Sequence, residues 1–382
     1  MAVIYGTTDD DTLIGLDLES DEAADTIYGQ TGNDILRGLN GDDILDGGLG
    51  ADLLDGGNGQ DTAYYGLSQF DVAAYLTWEA GNRGEAAGDR YTLIERLTGG
   101  VGNDILGGND AANLISGGGG SDWLLGLGGD DHLRGGADND VLNGGLGSDI
   151  LDGGGGADVA YYGDASGEIY SAAVSGSNPY LVNGVSYGIV VDTKTPSNNF
   201  GEAKGDTFTG IENIWGSKFN DVIIGDDAGG QRYGFAGDDI LDGGGGDDVL
   251  IGGPGFDVIT GGAGHDEIFF LLWNDHVNSD GLMELHDGPD TITDFVHGID
   301  HLTVSRYWFG FGNIDGPAAA LTSDYADFIT EGAVISTKPT FIYGTGVQEL
   351  YFDPDGIGPT AHVFIADLQL GATLTLSDIW TA

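Results

Sequence analysis

Gly117 to Asp158 reads GGGGSDWLL, GLGGDDHLR, GGADNDVLN, GGLGSDILD, GGGGAD, which places Asp122, Asp131, Asp140, Asp149 and Asp158 nine residues apart. Self-similarity at a fixed short period marks a solenoid, in which each repeat packs only on its neighbours. The repeat is Gly-Gly-x-Gly-x-Asp-x-U-x, with U apolar. Its glycines permit positive φ and close backbone approach, so six residues can turn sharply with their carbonyls aimed inward. The other three residues form a short strand whose alternation sends the eighth side chain inside: Leu106, Ile115, Leu124, Leu133, Leu142 and Leu151. One loop and one strand make half a coil, and two repeats close a flattened turn of parallel strands.

Working outward, the same register returns in three blocks. The first carries Asp25, Asp34, Asp43, Asp52 and Asp61, with Ile27, Leu36, Leu45 and Leu54 inward. An imperfect repeat from Gly6 to Gly15 precedes it, around Asp11 and Leu13, and is expected to cap the first coil. The second block carries Asp104, Asn113, Asp122, Asp131, Asp140, Asp149 and Asp158, and the third Asp221, Gly230, Asp239, Asp248, Asp257 and Asp266. Calcium takes six to eight hard oxygen ligands, and aspartates with peptide carbonyls supply them without long side chains. The registered acids are therefore the candidate metal ligands, with ions bridging loops stacked on one edge. Asn113 keeps an oxygen but loses a charge, so a weaker site is expected there. At Gly230 and Arg232 both the ligand and the inward apolar residue fail, and a bulge is expected. Ile35, Ile44 and Leu53, just after their aspartates, face outward and are expected to be packed by flanking segments.

Two interruptions share a plan. One has AYYG, a strand-like run and GEAAGDRYTLIE; the other has AYYG, a strand-like stretch ending GIVVD, and GEAKGDTFTGIE. The chain thus contains a duplicated longer unit. Gly84 to Asp89 and Gly201 to Asp206 are expected to rejoin the roll, with Glu95 and Glu212 either ligating a terminal ion or capping a turn.

Composition narrows the function classes. The formal charge is −52, from 63 acidic and 11 basic residues, and a compact body so charged repels itself unless cations bind. Without a basic patch, nucleic acid is excluded as a partner. With no cysteine, disulfides and thiolate metal sites are absent, so any metal is oxygen-bound. No apolar run reaches the roughly 18 residues of a membrane span, and MAVIYGTTDDD lacks the regions of a secretory signal peptide. Export is expected to use another signal. Because repeats begin almost at once, no room is expected upstream for a separate enzyme.

Catalytic candidates are weak. Gly184 to Gly188 matches G-x-S-x-G, yet a nucleophile elbow needs a strand before it and a helix after it, and here strand-like GIVVD follows. No H-E-x-x-H occurs, so a zinc protease is absent. Asp275, His276, Glu284, His286 and Asp287 read as a solvated loop or another calcium site, and Asp353, Asp355 and Gly356 as a weak calcium-loop signal. His132 and His265 fall at variable repeat positions and are expected to be exposed. The tail aromatics, Phe269, Phe270, Trp273, Tyr307, Trp308, Phe309 and Phe311, read as a small β core closing the roll rather than a sugar-binding face.

The three blocks resemble the RTX, or hemolysin-type, calcium-binding nonapeptide-repeat family over about residues 6 to 269. Asp290 to Val304 resembles the segment that follows the repeats in serralysin-type proteases. Leu350 to Leu368 with the LTLSDIW after it is similar to the C-terminal end of many type I secretion substrates. The resemblance implies an uncleaved C-terminal export signal, a Gram-negative source and passage through an ABC-transporter channel while unfolded. It supplies no catalytic domain.

The expected fold is all-β: a parallel β-roll, or β-solenoid, with a C-terminal β-rich cap. The expected segments are a first roll block with N-terminal cap (1–64), an excursion (65–98), a second block (99–161), a second excursion (162–215), a third block (216–269), and a cap with secretion signal (270–382). The expected function is that of a secreted, non-enzymatic calcium-binding protein that folds on export around about a dozen ions and serves an extracellular or cell-surface structural role. Expected partners are the type I secretion machinery, and then further copies of itself or cell-surface polysaccharide. The alternatives are a carbohydrate-binding or accessory module of a polysaccharide-acting system, and a small hydrolase in the C-terminal region.

Overall fold

A computed structural model of the protein describes residues 2–16, 24–166, 168–169, 186–270, 290–304, 319–320, 327–330, 340–344, 349–353, 363–369 and 372–381. The chain forms two compact units. The first comprises Met1–Tyr162 with Glu202–Asn213, and the second Gly163–Gly201 with Ile214–Ala382. The architecture is that of a parallel β-roll.

In the first unit, successive repeats alternate between two sheets. One runs Val3–Tyr5, Thr26–Tyr28, Ile44–Asp46, Thr62–Tyr64, Arg96–Thr98, Leu114–Gly119, His132–Ala137, Ile150–Gly155 and Thr207–Thr209, parallel throughout. The alternate repeats pair as Thr12–Ile14 to Ile35–Asn40 to Leu53–Asn58 to Arg90–Thr92. Further along they pair as Ala73–Tyr75, Ile105–Gly107, Trp123–Leu125, Val141–Asn143 and Val159–Tyr161. Paired residues within the blocks lie two repeats apart, as in Leu36 with Leu54 and Leu124 with Leu142. One coil is therefore 18 residues, as two nine-residue repeats require.

Ile27, Leu36, Leu45, Leu54, Leu106, Ile115, Leu124, Leu133, Leu142 and Leu151 are all 0 % exposed. Each such side chain contributes about 1.5–3 kcal/mol of burial. The core is thus a column rather than a ball. The outward row is less sheltered than the sequence led us to expect. Ile35, Ile44 and Leu53 are half-buried, while Ile105, Trp123 and Ile150 of the second block are 40–45 % exposed. The first interruption does not leave the roll: Ala73–Tyr75 and Arg90–Thr92 are strands of its sheets, so this segment is one overgrown coil.

The second unit repeats the plan. Ile189–Asp192, Val222–Ile224, Ile240–Asp242, Val258–Thr260, Asp290–Ile292 and Val363–Leu368 pair in parallel, and Gln231–Tyr233, Val249–Ile251, Glu267–Phe270, His301–Val304 and Ile379–Thr381 do likewise. Antiparallel pairing then appears, of Glu349–Asp353 with Thr340–Gly344 and with Val363–Leu368, and gives the C-terminal part its β-rich cap. The bulge expected at Gly230 and Arg232 is absent. Gln231, Arg232 and Tyr233 pair in register with Val249, Leu250 and Ile251, and Arg232 is 3 % exposed in the inward column.

Candidate metal centres

The registered acids form ladders. The backbone N–H of each donates to Oδ1 of the aspartate one coil later: Asp25 to Asp43 at 2.6 Å, Asp34 to Asp52 at 2.7 Å, and Asp43 to Asp61 at 2.8 Å. Asp104, Asn113, Asp122, Asp131 and Asp140 donate likewise to Asp122, Asp131, Asp140, Asp149 and Asp158 at 2.7–2.8 Å. In the second unit Asp221 donates to Asp239, Asp239 to Asp257, Gly230 to Asp248 and Asp248 to Asp266 at 2.7–3.1 Å. Oδ1 is thereby fixed, which leaves the function of each carboxylate to Oδ2.

Thirteen of these Oδ2 atoms are buried and accept no hydrogen bond: those of Asp34, Asp43, Asp52, Asp61, Asp122, Asp131, Asp140, Asp149, Asp158, Asp239, Asp248, Asp257 and Asp266. A buried carboxylate oxygen without a donor is costly, so thirteen in register call for a cation. The surroundings fit one. A methyl group on Gly29 would stand 2.5 Å from both Asp34 Oδ2 and the Gly47 carbonyl oxygen of the next coil, and one on Gly243 would stand 2.5 Å from both Asp248 Oδ2 and the Gly261 oxygen. Carboxylate and carbonyl thus converge on a point that only a side-chain-free residue leaves clear. Among the described residues no three His, Asp or Glu side chains come together. The donors seen at Gly29 and Gly243 are carboxylate and peptide oxygens, which suit a hard cation better than a transition metal.

The other four candidates differ. Asp25 Oδ2 accepts the Leu16 N–H at 2.7 Å, Asp104 Oδ2 the Gly100 N–H at 2.7 Å, and Asp221 Oδ2 the Ser217 N–H at 2.5 Å. Asn113 Oδ1 accepts the Asn109 N–H at 2.8 Å. In each case the donor is the second residue of the loop, so the loop closes on its own side chain. In all thirteen open loops the second residue has a left-handed φ, including the non-glycines Gln30, Leu39, Leu127 and Phe235 at 72–82°. The third residue's N–H then points one coil back, as from Leu49 to the Gln30 oxygen at 2.8 Å and from Leu146 to the Leu127 oxygen at 2.9 Å. Closed loops open each block; open loops stack on them.

Six further acids end the ladders. Asp89 and Asp206 accept the amides of Asp52 and Asp149 at 2.9 Å, and their Oδ2 atoms each accept a tyrosine O–H, from Tyr65 and Tyr162, at 2.7 Å. Glu95 and Glu212 accept the amides of Asp61 and Asp158 through Oε2 at 3.0 and 2.9 Å, in the ladder position. Asp290 and Asp300 accept from Asp257 and Asp266 at 3.1 and 3.3 Å. Asp89, Asp206, Asp290 and Asp300 escape the nine-residue register because the residues before them do not follow the Gly-Gly-x-Gly pattern. The surviving signal is the aspartate followed two residues later by an apolar or aromatic strand residue: Tyr91, Phe208, Ile292 and Leu302.

Burial pushes the loop carboxyls up. It takes Asp52, Asp61, Asp140, Asp149, Asp248 and Asp266 to about 6, Asp131 and Asp257 to about 7, and Asp122 to about 8. The ladder amides oppose this by favouring the anion, while neighbouring carboxylates in most cases reinforce it. A dication beside Oδ2 reverses the balance.

Ser186 lies exposed in the strand Ser186–Tyr187 and not on a strand-to-helix elbow. His132 is half-buried and His265 exposed. The Asp275–Asp287 cluster, Asp355, Gly356, Trp273 and the Tyr307–Phe311 aromatics lie outside the described residues, and of Asp353 only the backbone strand is described. No helix of the described residues is long and apolar enough to cross a membrane.

Comparison with known proteins bears on this geometry. The family described as RTX calcium-binding nonapeptide repeat (4 copies) matches residues 20–54, 28–63, 93–124, 125–160, 206–228 and 233–268. No curated protein matches the chain. Among solved structures the chain is similar to the extracellular lipase LipA from Serratia marcescens, at 16 % identity and a TM-score of 0.22, over 73 % of this chain and 40 % of that one. The chain thus spans well under half the length of that lipase.

Proposed function

Starting from a chain that carries RTX calcium-binding nonapeptide repeats wound into a parallel β-roll, we propose that it is a secreted, non-enzymatic protein that folds on calcium outside the cell. The observation that carries this reading is the set of thirteen buried, donor-free Oδ2 atoms, each facing the first glycine of its loop and, at Asp34, Asp43, Asp61, Asp131, Asp140, Asp158, Asp239 and Asp248, a carbonyl of the stacked loops as well. Asp34, Asp43, Asp52 and Asp61, then Asp122 to Asp158, then Asp239 to Asp266 hold ions in this reading, on the order of a dozen in all. Such a load cancels roughly half of the formal charge of −52.

In a cytosol of submicromolar calcium, these carboxylates repel and each loop loses backbone entropy on ordering without gaining its ligand, so the chain stays extended enough for a transporter channel. At millimolar external calcium, binding free energy becomes folding free energy by mass action. In this reading the strands Val363–Leu368 and Ile379–Thr381 close the roll, and the C-terminal region carries the export signal. The reading is non-enzymatic because in the open loops a ladder amide holds Oδ1 and the buried Oδ2 is left to a cation, so neither oxygen is free to serve as an acid or base. The outside role is structural, in a surface layer, matrix or self-assembling array. The exposed Ile105 and Trp123 on one sheet, Ile150 on the other, and the exposed Val3 and Tyr5 of a sheet-edge strand support lateral contact between copies.

Circular dichroism during a calcium titration, with light scattering and electron microscopy of the same sample, tests both parts. We expect a cooperative gain of β signal near millimolar calcium followed by rising scattering and ordered assemblies. An unchanged spectrum would overturn calcium-driven folding, and a monodisperse monomer at millimolar calcium would overturn assembly.

A further inference from the structure

The second unit contains one loop where the repeat fails on paper and the fold does not. Asp at the ligand position is replaced by Gly230, and the inward apolar residue by Arg232. Arg232 nonetheless stays in the buried column between Ile214 and Leu250. A guanidinium cannot shed its proton to suit an apolar interior, so it must find anions or carbonyls. It turns into the loop. At Gly225, five residues before Gly230, an added methyl would meet the Gly243 carbonyl oxygen together with Nη2 and Nε of Arg232. At Gly243, in the next coil, the equivalent point is met by Asp248 Oδ2 and the Gly261 carbonyl. Nη2 lies 3.9 Å from Asp248 Oδ1, and the carboxylates of Asp226 and Asp242 also face the guanidinium.

We propose that the guanidinium of Arg232 is a resident cation that takes the place of bound calcium in the Gly225–Gly230 loop and holds the first coil of the third block at calcium levels too low to fill the open loops. This rests on the reading of the thirteen loops as calcium sites. The loop gives up one anion and gains one cation at the same place, which is the exchange needed to fill the Gly225–Gly230 loop without an ion. The loop Gly216–Asp221, closed by the Ser217 amide, completes a coil that needs no metal.

The test compares the full-length protein with R232L, R232K and the double variant G230D/R232L, which restores the regular repeat. Bound calcium is counted by metal analysis after dialysis against millimolar calcium, and the folding midpoint is read by circular dichroism. We expect R232L to bind the wild-type number of ions with a midpoint raised two- to tenfold, and R232K to recover part of that shift. The double variant should bind one additional ion and fold at the wild-type midpoint or below. An unshifted midpoint in R232L, or no additional ion in a folded double variant, would overturn the proposal, as would a double variant that fails to fold at saturating calcium. Should R232L alone fail to fold, the ion count of the double variant decides. A wild-type protein that binds no calcium would instead sink the reading of the open loops, an outcome distinct from all of these.

Discussion

Gly99–Asp104 (GGVGND) and Gly117–Asp122 (GGGGSD) share glycines at the first, second and fourth positions and the aspartate, one coil apart, yet only the second leaves a carboxylate oxygen without a donor. In the first, the Gly100 N–H closes onto Asp104 at 2.7 Å. In the second, Gly118 takes a φ of 111° and the Gly119 N–H reaches back to the Gly100 oxygen at 3.0 Å. The shared glycines and aspartate do not separate the two loops, whereas what lies beneath them does differ. Gly100 offers its oxygen to the next loop, whereas beneath Gly99–Asp104 lies the overgrown coil, where the Val101 N–H meets the Ser68 oxygen at 3.3 Å. A closed loop is therefore a template, and each later loop opens by stacking on it. Metal-dependent and metal-independent coils can thus alternate along one chain with little change of sequence.

The sharpest way to break this comparison is to strike one loop of each kind with the same change. D131N with D140N keeps both ladder acceptors and removes two charges from open loops. We expect fewer ions by metal analysis and a calcium midpoint raised roughly tenfold or more, equivalent to at least about 1.4 kcal/mol. D104N should leave the ion count unchanged and shift the midpoint less than about twofold. Equal effects would erase the distinction between loops.

Acidity separates the two states of an open loop. Without calcium, Asp122, Asp131 and Asp257 have folded-state values near 7 to 8, above the ordinary value of 3.8 that the unfolded chain keeps. A raised carboxyl penalises the metal-free fold where it must ionise: the penalty is absent below about pH 4, grows as pH rises through 6 to 8, and is then complete. In chelator, acidification from pH 8 to 5 should therefore raise the β signal. In calcium the dependence moves to lower pH, because the carboxyls of the unfolded chain are already ionised above about pH 5: the calcium midpoint should stay level from pH 7.5 to 6 and rise as pH falls from about 5 to 3.5, where protons take the carboxylates the ions need. A midpoint unmoved down to about pH 3.5 would contradict the placement of the ions at these carboxylates.

Much of this was readable in the residues and some was not. The period of nine in the aspartates and the apolar eighth position specify the coil and its column, since a strand alternates in twos and a loop of six must turn. That Leu127 or Phe235 would accept a left-handed φ was not readable, because stacking on the preceding coil overrides the residue's own preference. Asp89 and Asp206 were hidden for a different reason: their loops carry glycine at the first and fifth positions only (Gly84 and Gly88, Gly201 and Gly205), outside the Gly-Gly-x-Gly pattern, and are closed by the hydroxyls of Tyr65 and Tyr162. Arg232 reads as a defect and is a buried cation, because pairing with Leu250 keeps it in register where its composition argues for a bulge.

A smaller effect sharpens the backbone part of the comparison. Leu127 at φ 81° sits in an open loop, so L127G should stabilise the calcium-loaded protein by about 1 kcal/mol in thermal unfolding. L16G in a closed loop, where φ is ordinary, should give no gain. The smallest expected change is N113D. Its oxygen position is already occupied by the Asn109 amide, so we expect no additional ion in metal analysis despite the added charge.

The most direct measurement is anomalous diffraction from crystals grown in millimolar calcium. Ions should lie about 2.3–2.6 Å from the Oδ2 atoms of the open loops, Asp131 and Asp140 among them, with none beside Asp25, Asp104, Asn113, Asp221 or Arg232. Ions at the closed loops, or open loops left bare in calcium, would contradict the account.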